Sequence, residues 1–260
     1  FLDALSDADK LVRDAAILVL IKFYNESPKL INLDSIINKL DKNNPAITMS
    51  ILQLIGDLWE MDSEEILSTL LKFIKFENEE IKKTVSNILV ENYDKSPELV
   101  FNNLITIEDD SKFLSKGIIS NTIINIARHH PYEIYERLIK SLDSENDFTR
   151  LNAINSLDGI IDDHIQKIDV GLLLNTFQRE HVNEVKKNII QLLSKVAKNS
   201  PQSFFAIINK LLDILKKQEA HLKVPLIKII MILTEKNPDI IPLDPLLELF
   251  SDNDSFIRET

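Results

Sequence analysis

Five carboxamide side chains recur in this sequence at one interval: Gln53, Asn87, Asn121, Asn155 and Gln191. Each offers both a hydrogen-bond donor and an acceptor, so a row of them could bond the main chain of an extended peptide. Carboxylates lie four and seven residues further on: Asp57 and Glu60 after Gln53, Glu91 and Asp94 after Asn87. Near and after Gln191 the side chains are basic instead, with Lys187, Lys195 and Lys198. This pattern suits recognition of a charged segment. It also suits an ordinary solvated face in a chain rich in Asn and charge.

Residues fit for catalysis do not assemble. The five histidines are His129, His130, His164, His181 and His221, and no two share a helix at i, i+4 spacing as metal ligands would. His129-His130 precedes Pro131 and reads as a turn feature. There is no cysteine, which removes disulfides and thiolate metal sites. Four glycines leave no phosphate-cradling loop and no nucleophile elbow. The acidic pairs Glu79-Glu80, Asp109-Asp110 and Asp162-Asp163 fall in turns or at helix ends, where they cap or complement a dipole. The expectation is a protein with no catalytic residue, no metal and no cofactor.

Elements of one repeating kind must position these side chains. A basic column recurs as Arg13, Thr48, Lys82, Lys116, Arg150, Lys186, Lys223 and Arg258, at spacings of 34 to 37 residues. A proline column recurs as Pro28, Pro97, Pro131, Pro201 and Pro238, preceded by Ser, His or Asn. Ser or Asn followed by Pro predicts a helix start, with a side-chain cap and proline at the first helical position. Each period therefore holds two helices, the first after the proline and the second after a polar turn such as Ser6-Asp7-Ala8-Asp9. In the first copy the apolar positions Val12, Ala15, Ala16, Val19, Leu20 and Phe23 predict one buried stripe. Ala153, Leu157 and Ile160, then Ile189, Leu193 and Val196, repeat it. Trp59, near the end of a second helix, reads as a core or inter-repeat contact.

A helix pair of this size cannot bury both apolar faces alone, but stacked pairs can. The expected fold is all-α, a right-handed α-α superhelix of about seven helix pairs. It is expected to run as a single solenoid over residues 1–260, cut within a repeat at both ends. No apolar run is long enough to span a bilayer and no leader pattern opens the chain, so a cytoplasmic location is expected.

The turn and helix of the first copy (Leu5, Asp7, Asp9, Val12, Arg13, Ala16) and the run Phe250 to Arg258 in the last resemble the HEAT-repeat family. The first copy is most similar to trunk repeats of adaptin-type coat proteins. The fourth copy departs from the pattern with Ser115 and with Gly117 in its second helix, and the second with Thr48, so irregular repeats are expected there. The resemblance implies that the basic column bonds to the Asp or Asn of the adjoining turn (Asp9, Asn44, Asn78, Asn146, Asp254). It implies that second helices line a concave wall, and in the related armadillo repeats an asparagine row binds peptide.

Net charge is −11. Residues 57–110 carry 14 acidic and 5 basic side chains, a net of −9, whereas residues 182–228 carry 3 acidic and 9 basic, a net of +6. A protein or peptide partner, basic at the Asp57–Asp110 end, is therefore the first expectation. The alternative is a nucleic-acid-binding HEAT-like protein using the basic region 182–228, although the acidic repeats would repel a phosphate backbone.

Overall fold

The computed structural model describes residues 1–41, 43–108 and 117–238, and for Asp163 only the backbone. Among them are thirteen α-helices and no strand. The basic positions Lys116 and Arg258, Ser115, the pair Asp109-Asp110, and the turn and cap of the last copy including Asp254 lie outside the described residues.

The helices alternate as the periodicity predicts. Second helices are α1 (Lys10–Glu26), α3 (Pro45–Asp57), α5 (Glu79–Glu91), α7 (Ile118–Ala127), α9 (Asp147–His164), α11 (Asn183–Asn199) and α13 (Ala220–Lys236). Between them come the first helices α2 (Leu33–Ile37), α4 (Ser63–Ile74), α6 (Pro97–Leu104), α8 (Pro131–Ser141), α10 (Val170–Arg179) and α12 (Ile208–Lys216). The chain forms two compact units, Phe1–Ile134 and Tyr135–Thr260.

In the first unit α1, α3, α5 and α7 stack in succession, α2 and α4 pack on α3 and α5, and α4 also meets α6. In the second unit α9, α11 and α13 stack, with α10 on α11 and α12 on α13. Each inner helix is covered on two sides, so its apolar face is broad. On α3, Ile51, Leu52, Leu54 and Ile55 are all fully buried. Ala153 and Leu157, then Ile189, Leu193 and Val196, are equally inaccessible. Burying each leucine or isoleucine of this kind contributes about 1.5–3 kcal/mol.

The first copy departs from its stripe. Ala16 and Leu20 are buried, but Ala15 is exposed and Val12 and Phe23 are 39% and 40% exposed. Its packing partners are α3 and the short turns Asp3–Ser6 and Pro28–Leu30, which cover only one side of the helix.

Proline opens α6 and α8, but at Pro28 and Pro201 it opens only a 3-10 turn. The serines before these prolines do not cap with their side chains. Ser96 Oγ instead accepts a bond from Trp59 Nε1 at 3.1 Å, joining adjacent repeats.

Capping falls to the Asx residues of the turns. Asp9, Asn44, Asn78 and Asn146 each accept a backbone N–H of the helix that follows. Their side chains are thus occupied, and Arg13 and Arg150 reach past them to main chain, whereas Lys82 pairs with the Glu79 carboxylate. Arg13 Nη1 donates to the carbonyls of Asp7 and Ala8 at 2.9 and 3.0 Å. Arg150 Nη1 does the same to Ser144 and Glu145 at 2.8 and 3.0 Å. Thr48 keeps this function with a hydroxyl: Oγ1 donates to the carbonyl of Asp41 at 2.5 Å, and α3 is regular. Gly117 precedes α7 as its N-terminal flank and does not interrupt the helix.

Candidate protein-binding surface

The five-residue step from the basic column turns a side chain about 140° around a helix. That step carries the carboxamides out of the core. Asn87, Asn121 and Gln191 are exposed on α5, α7 and α11, and Gln53 and Asn155 are half-buried on α3 and α9. Gln53, Asn87 and Asn121 belong to the first unit, Asn155 and Gln191 to the second. The half-buried pair already serves the chain itself. Gln53 hydrogen-bonds Asp57 one turn on, and Asn155 Oδ1 accepts from Asn188 Nδ2 at 2.7 Å.

The four carboxylates gather at the C-terminal ends of α3 and α5. Asp57 and Glu91 are the last residues of those helices, and Glu60 and Asp94 lie in the turns just beyond. All four are exposed. Although Asp57 is exposed, the surrounding helix ends partly desolvate its carboxyl and push it above its ordinary value, and the neighbouring charge of Glu91 pushes it the same way; the bond from Gln53 and the charge of Lys95 offset only part of this. Asp57 and Glu91 therefore feel each other across adjacent repeats. A helix C-terminus is also the less favourable end for a carboxylate.

Asp94 has a partner of its own. Its Oδ1 lies 3.1 Å from His130 Nε2, and His130 Nδ1 lies 3.9 Å from Glu133 Oε2. The Tyr93 ring sits 5.0 Å from the imidazole, and the Tyr93 hydroxyl donates to Glu133 Oε1 at 2.8 Å. By sequence His130 reads only as a turn feature. Its signal was the register: His130 occupies the position of Ser96 one repeat later, and each meets an aromatic residue 37 positions back, Trp59 or Tyr93.

The basic side chains of the second unit are less available than their number suggests. Lys187 and Lys198 are exposed, but Lys195 Nζ is held by Asp158, at 2.5 Å from Oδ1 and 3.1 Å from the carbonyl. Lys186 lies over the Phe177 ring at 5.6 Å. Arg150 is bound bidentately by buried Glu180, through Nε at 2.6 Å and Nη2 at 2.9 Å. These contacts lower the positive potential that a phosphate backbone would meet. Among the described residues no group of three or more His, Asp or Glu is placed to hold a metal, and no helix is long and apolar enough to cross a membrane.

No family model matches the sequence, and no curated protein matches it. Solved structures do. Kap121p aligns over 99% of this chain and 32% of its own, with a TM-score of 0.50 and 14% identity. Kap121p bound to Pho4p gives a TM-score of 0.51 at 13% identity, and a Kap121p variant gives 0.52 at 14%, with the same coverage. The fold is that of a helical-repeat solenoid. The chain spans about a third of the length of these structures, and the likeness is one of architecture.

Proposed function

We propose that this chain is a non-catalytic scaffold that binds a partner protein through an extended basic or dipolar segment. The segment lies along the exposed side of the second helices and docks at Asp57, Glu60, Glu91 and Asp94. Gln53, Asn87 and Asn121 bond its main chain in the first unit. Asn155, Gln191, Lys187 and Lys198 offer a similar row, with the opposite charge, in the second; Lys195 contributes once released from Asp158. Concavity of this wall, an adaptin-like place within the HEAT family and a cytoplasmic setting accompany the reading. Kap121p, a protein of this fold, has been seen bound to Pho4p.

One observation carries the proposal. Exposed Asp57 and Glu91 end the adjacent helices α3 and α5, with Glu60 and Asp94 in the turns just beyond, and partial desolvation together with the charge of Glu91 pushes the Asp57 carboxyl above its ordinary value. A carboxylate kept where the fold gains nothing from it suits a cationic ligand. The test is fluorescence anisotropy with a labelled lysine-rich extended peptide, on the wild type and on Glu91→Lys plus Asp94→Lys. Binding should weaken at least about tenfold, ~1.4 kcal/mol, and fall with added salt. A double variant that retains its circular dichroism and binds the peptide unchanged overturns the proposal.

A further inference from the structure

The first unit also has a groove on its row of first helices. α4 runs for twelve residues, whereas α6 beside it stops after eight. Among the described residues the C-terminal turns of α4 therefore lack a matching turn of α6, and a cavity of about 620 Å³ opens there. Its α4 wall is the stripe Glu64, Leu67, Ser68, Leu71, Lys72 and Lys75, spaced i, i+3, i+4, i+7, i+8 and i+11. Leu99 and Asn103 of α6 and then Ile107 form the other side. The wall extends over about 16 Å of helix at 1.5 Å per residue. Its middle holds half-buried Leu71, Leu99 and Ile107 over buried Leu67, with exposed Ser68 and Asn103 beside them. Glu64 stands at one end, Lys72 and Lys75 at the other.

The charge at the lysine end runs against its surroundings. Residues 57–110 carry a net of −9, yet Lys72 and Lys75 are exposed, and neither is in a salt bridge among the described residues. An acidic segment approaching residues 57–110 as a whole meets a net negative charge. At this groove it meets two ammonium groups beside an apolar floor. We infer that the α4/α6 groove is a docking site for an amphipathic segment of a partner protein, with apolar side chains on half-buried Leu71, Leu99 and Ile107 and acidic residues at Lys72 and Lys75. Glu64 fixes the direction, because the acidic end of the segment is repelled there. The volume accommodates a few side chains, as peptide and small-ligand pockets do. This surface takes a ligand of the opposite charge from the acidic ends of α3 and α5, and does not depend on that site.

The probe is a labelled helical peptide with leucines along one face, an arginine at one end and glutamates at the other. A matched peptide carries lysines in place of the glutamates. Wild type should bind the glutamate peptide at least about tenfold more tightly than the lysine peptide. Lys72→Glu plus Lys75→Glu, both exposed positions, should invert that preference. Leu71→Glu should abolish binding of either peptide, and Glu91→Lys plus Asp94→Lys should leave the glutamate peptide unaffected. Methyl NMR should show Leu71, Leu99 and Ile107 shifting on titration. Two results overturn the inference: no binding of the glutamate peptide to wild type at millimolar concentration, or equal binding to wild type and the charge-reversed variant.

Discussion

Replacing Glu180 by alanine should destabilise the second unit by about 3 kcal/mol. The Glu180 side chain is fully buried, and its carboxylate accepts four bonds: Arg150 Nε at 2.6 Å and Nη2 at 2.9 Å, and the amides of His181 and Val182 at 2.8 and 2.9 Å. Removing one member of a buried ion pair costs about 3–5 kcal/mol, because the other charge stays behind. The lower end applies here. Arg150 keeps the carbonyls of Ser144 and Glu145 and the carboxylate of Asp147, and its side chain is 13% accessible. Glu180→Gln, which preserves an acceptor for the amides, should lose less. The nearby pair Arg179–Asp143 is more than half exposed on both sides, so Asp143→Ala should cost no more than about 1 kcal/mol.

Urea unfolding followed by far-UV circular dichroism measures these differences. Unfolding at several pH values adds an independent check. Burial alone would push the Glu180 carboxyl up, but the bonds from Arg150 and the two amides outweigh it and hold it below its ordinary value of 4.5. Stability from this group is therefore complete above about pH 4.5, its value in the unfolded chain, and is lost as pH falls through the depressed folded value. Glu180→Ala should flatten that acid limb. A cost under about 1 kcal/mol, or an unchanged acid limb, would refute the assignment of Glu180 as the buried anchor of Arg150.

Gly56→Ala should destabilise the first unit by about 1–3 kcal/mol despite alanine's better helix propensity, because its Cβ would lie 2.5 Å from Cγ2 of buried, β-branched Ile88; denaturant titration, with Ile88→Ala as partial rescue, tests this. Trp59 is the sole tryptophan and is 1% exposed, so its fluorescence should report unfolding of the first unit, and Ser96→Ala should cost about 1 kcal/mol there by leaving the indole N–H unpaired. Asp57 is held above its ordinary value of 3.8, so its contribution to stability diminishes as pH rises from 3.8 through the folded value. Asp57→Asn should therefore leave stability at neutral pH unchanged or slightly raised while weakening the lysine-rich peptide, a combination visible in paired denaturation and anisotropy measurements.

The repeat was legible because stacking needs few residue types at fixed spacing. Apolar stripes, a basic column and junction prolines all follow from packing one helix pair on the next. The all-α solenoid class and the alternation of helices came from that register. The partners of polar side chains did not, because a single sequence gives a residue's position but not which of several nearby acceptors it takes. Arg13 was expected to bond the turn's Asx residue, but Asp9 spends its side chain on capping α1, and the guanidinium finds the carbonyls of Asp7 and Ala8. Ser96 was expected to cap and instead receives Trp59. Lys195 counted toward a basic surface, yet it is tied to Asp158 on the preceding second helix. Two of these misses have the same form, a partner 37 residues away overriding a short-range rule; at Arg13 the competing partner lies within its own turn.

That distinction separates the charges of this molecule into two kinds. Glu180 and the capping Asx residues are held by donors that the fold supplies, so their charge or polarity is accounted for by structure. Asp57 and Glu91 end their helices on the dipole's unfavourable side and repel each other. Lys72 and Lys75 sit at the C-terminal end of α4, where the dipole does favour them, but also at the rim of a groove that is partly apolar and open among the described residues. Dipole complementarity requires only that a cation be near that helix end and is indifferent to which peptide is present. Selectivity between the glutamate and lysine peptides, inverted on charge reversal, is therefore the measurement that separates a recognition surface from a stabilised helix terminus.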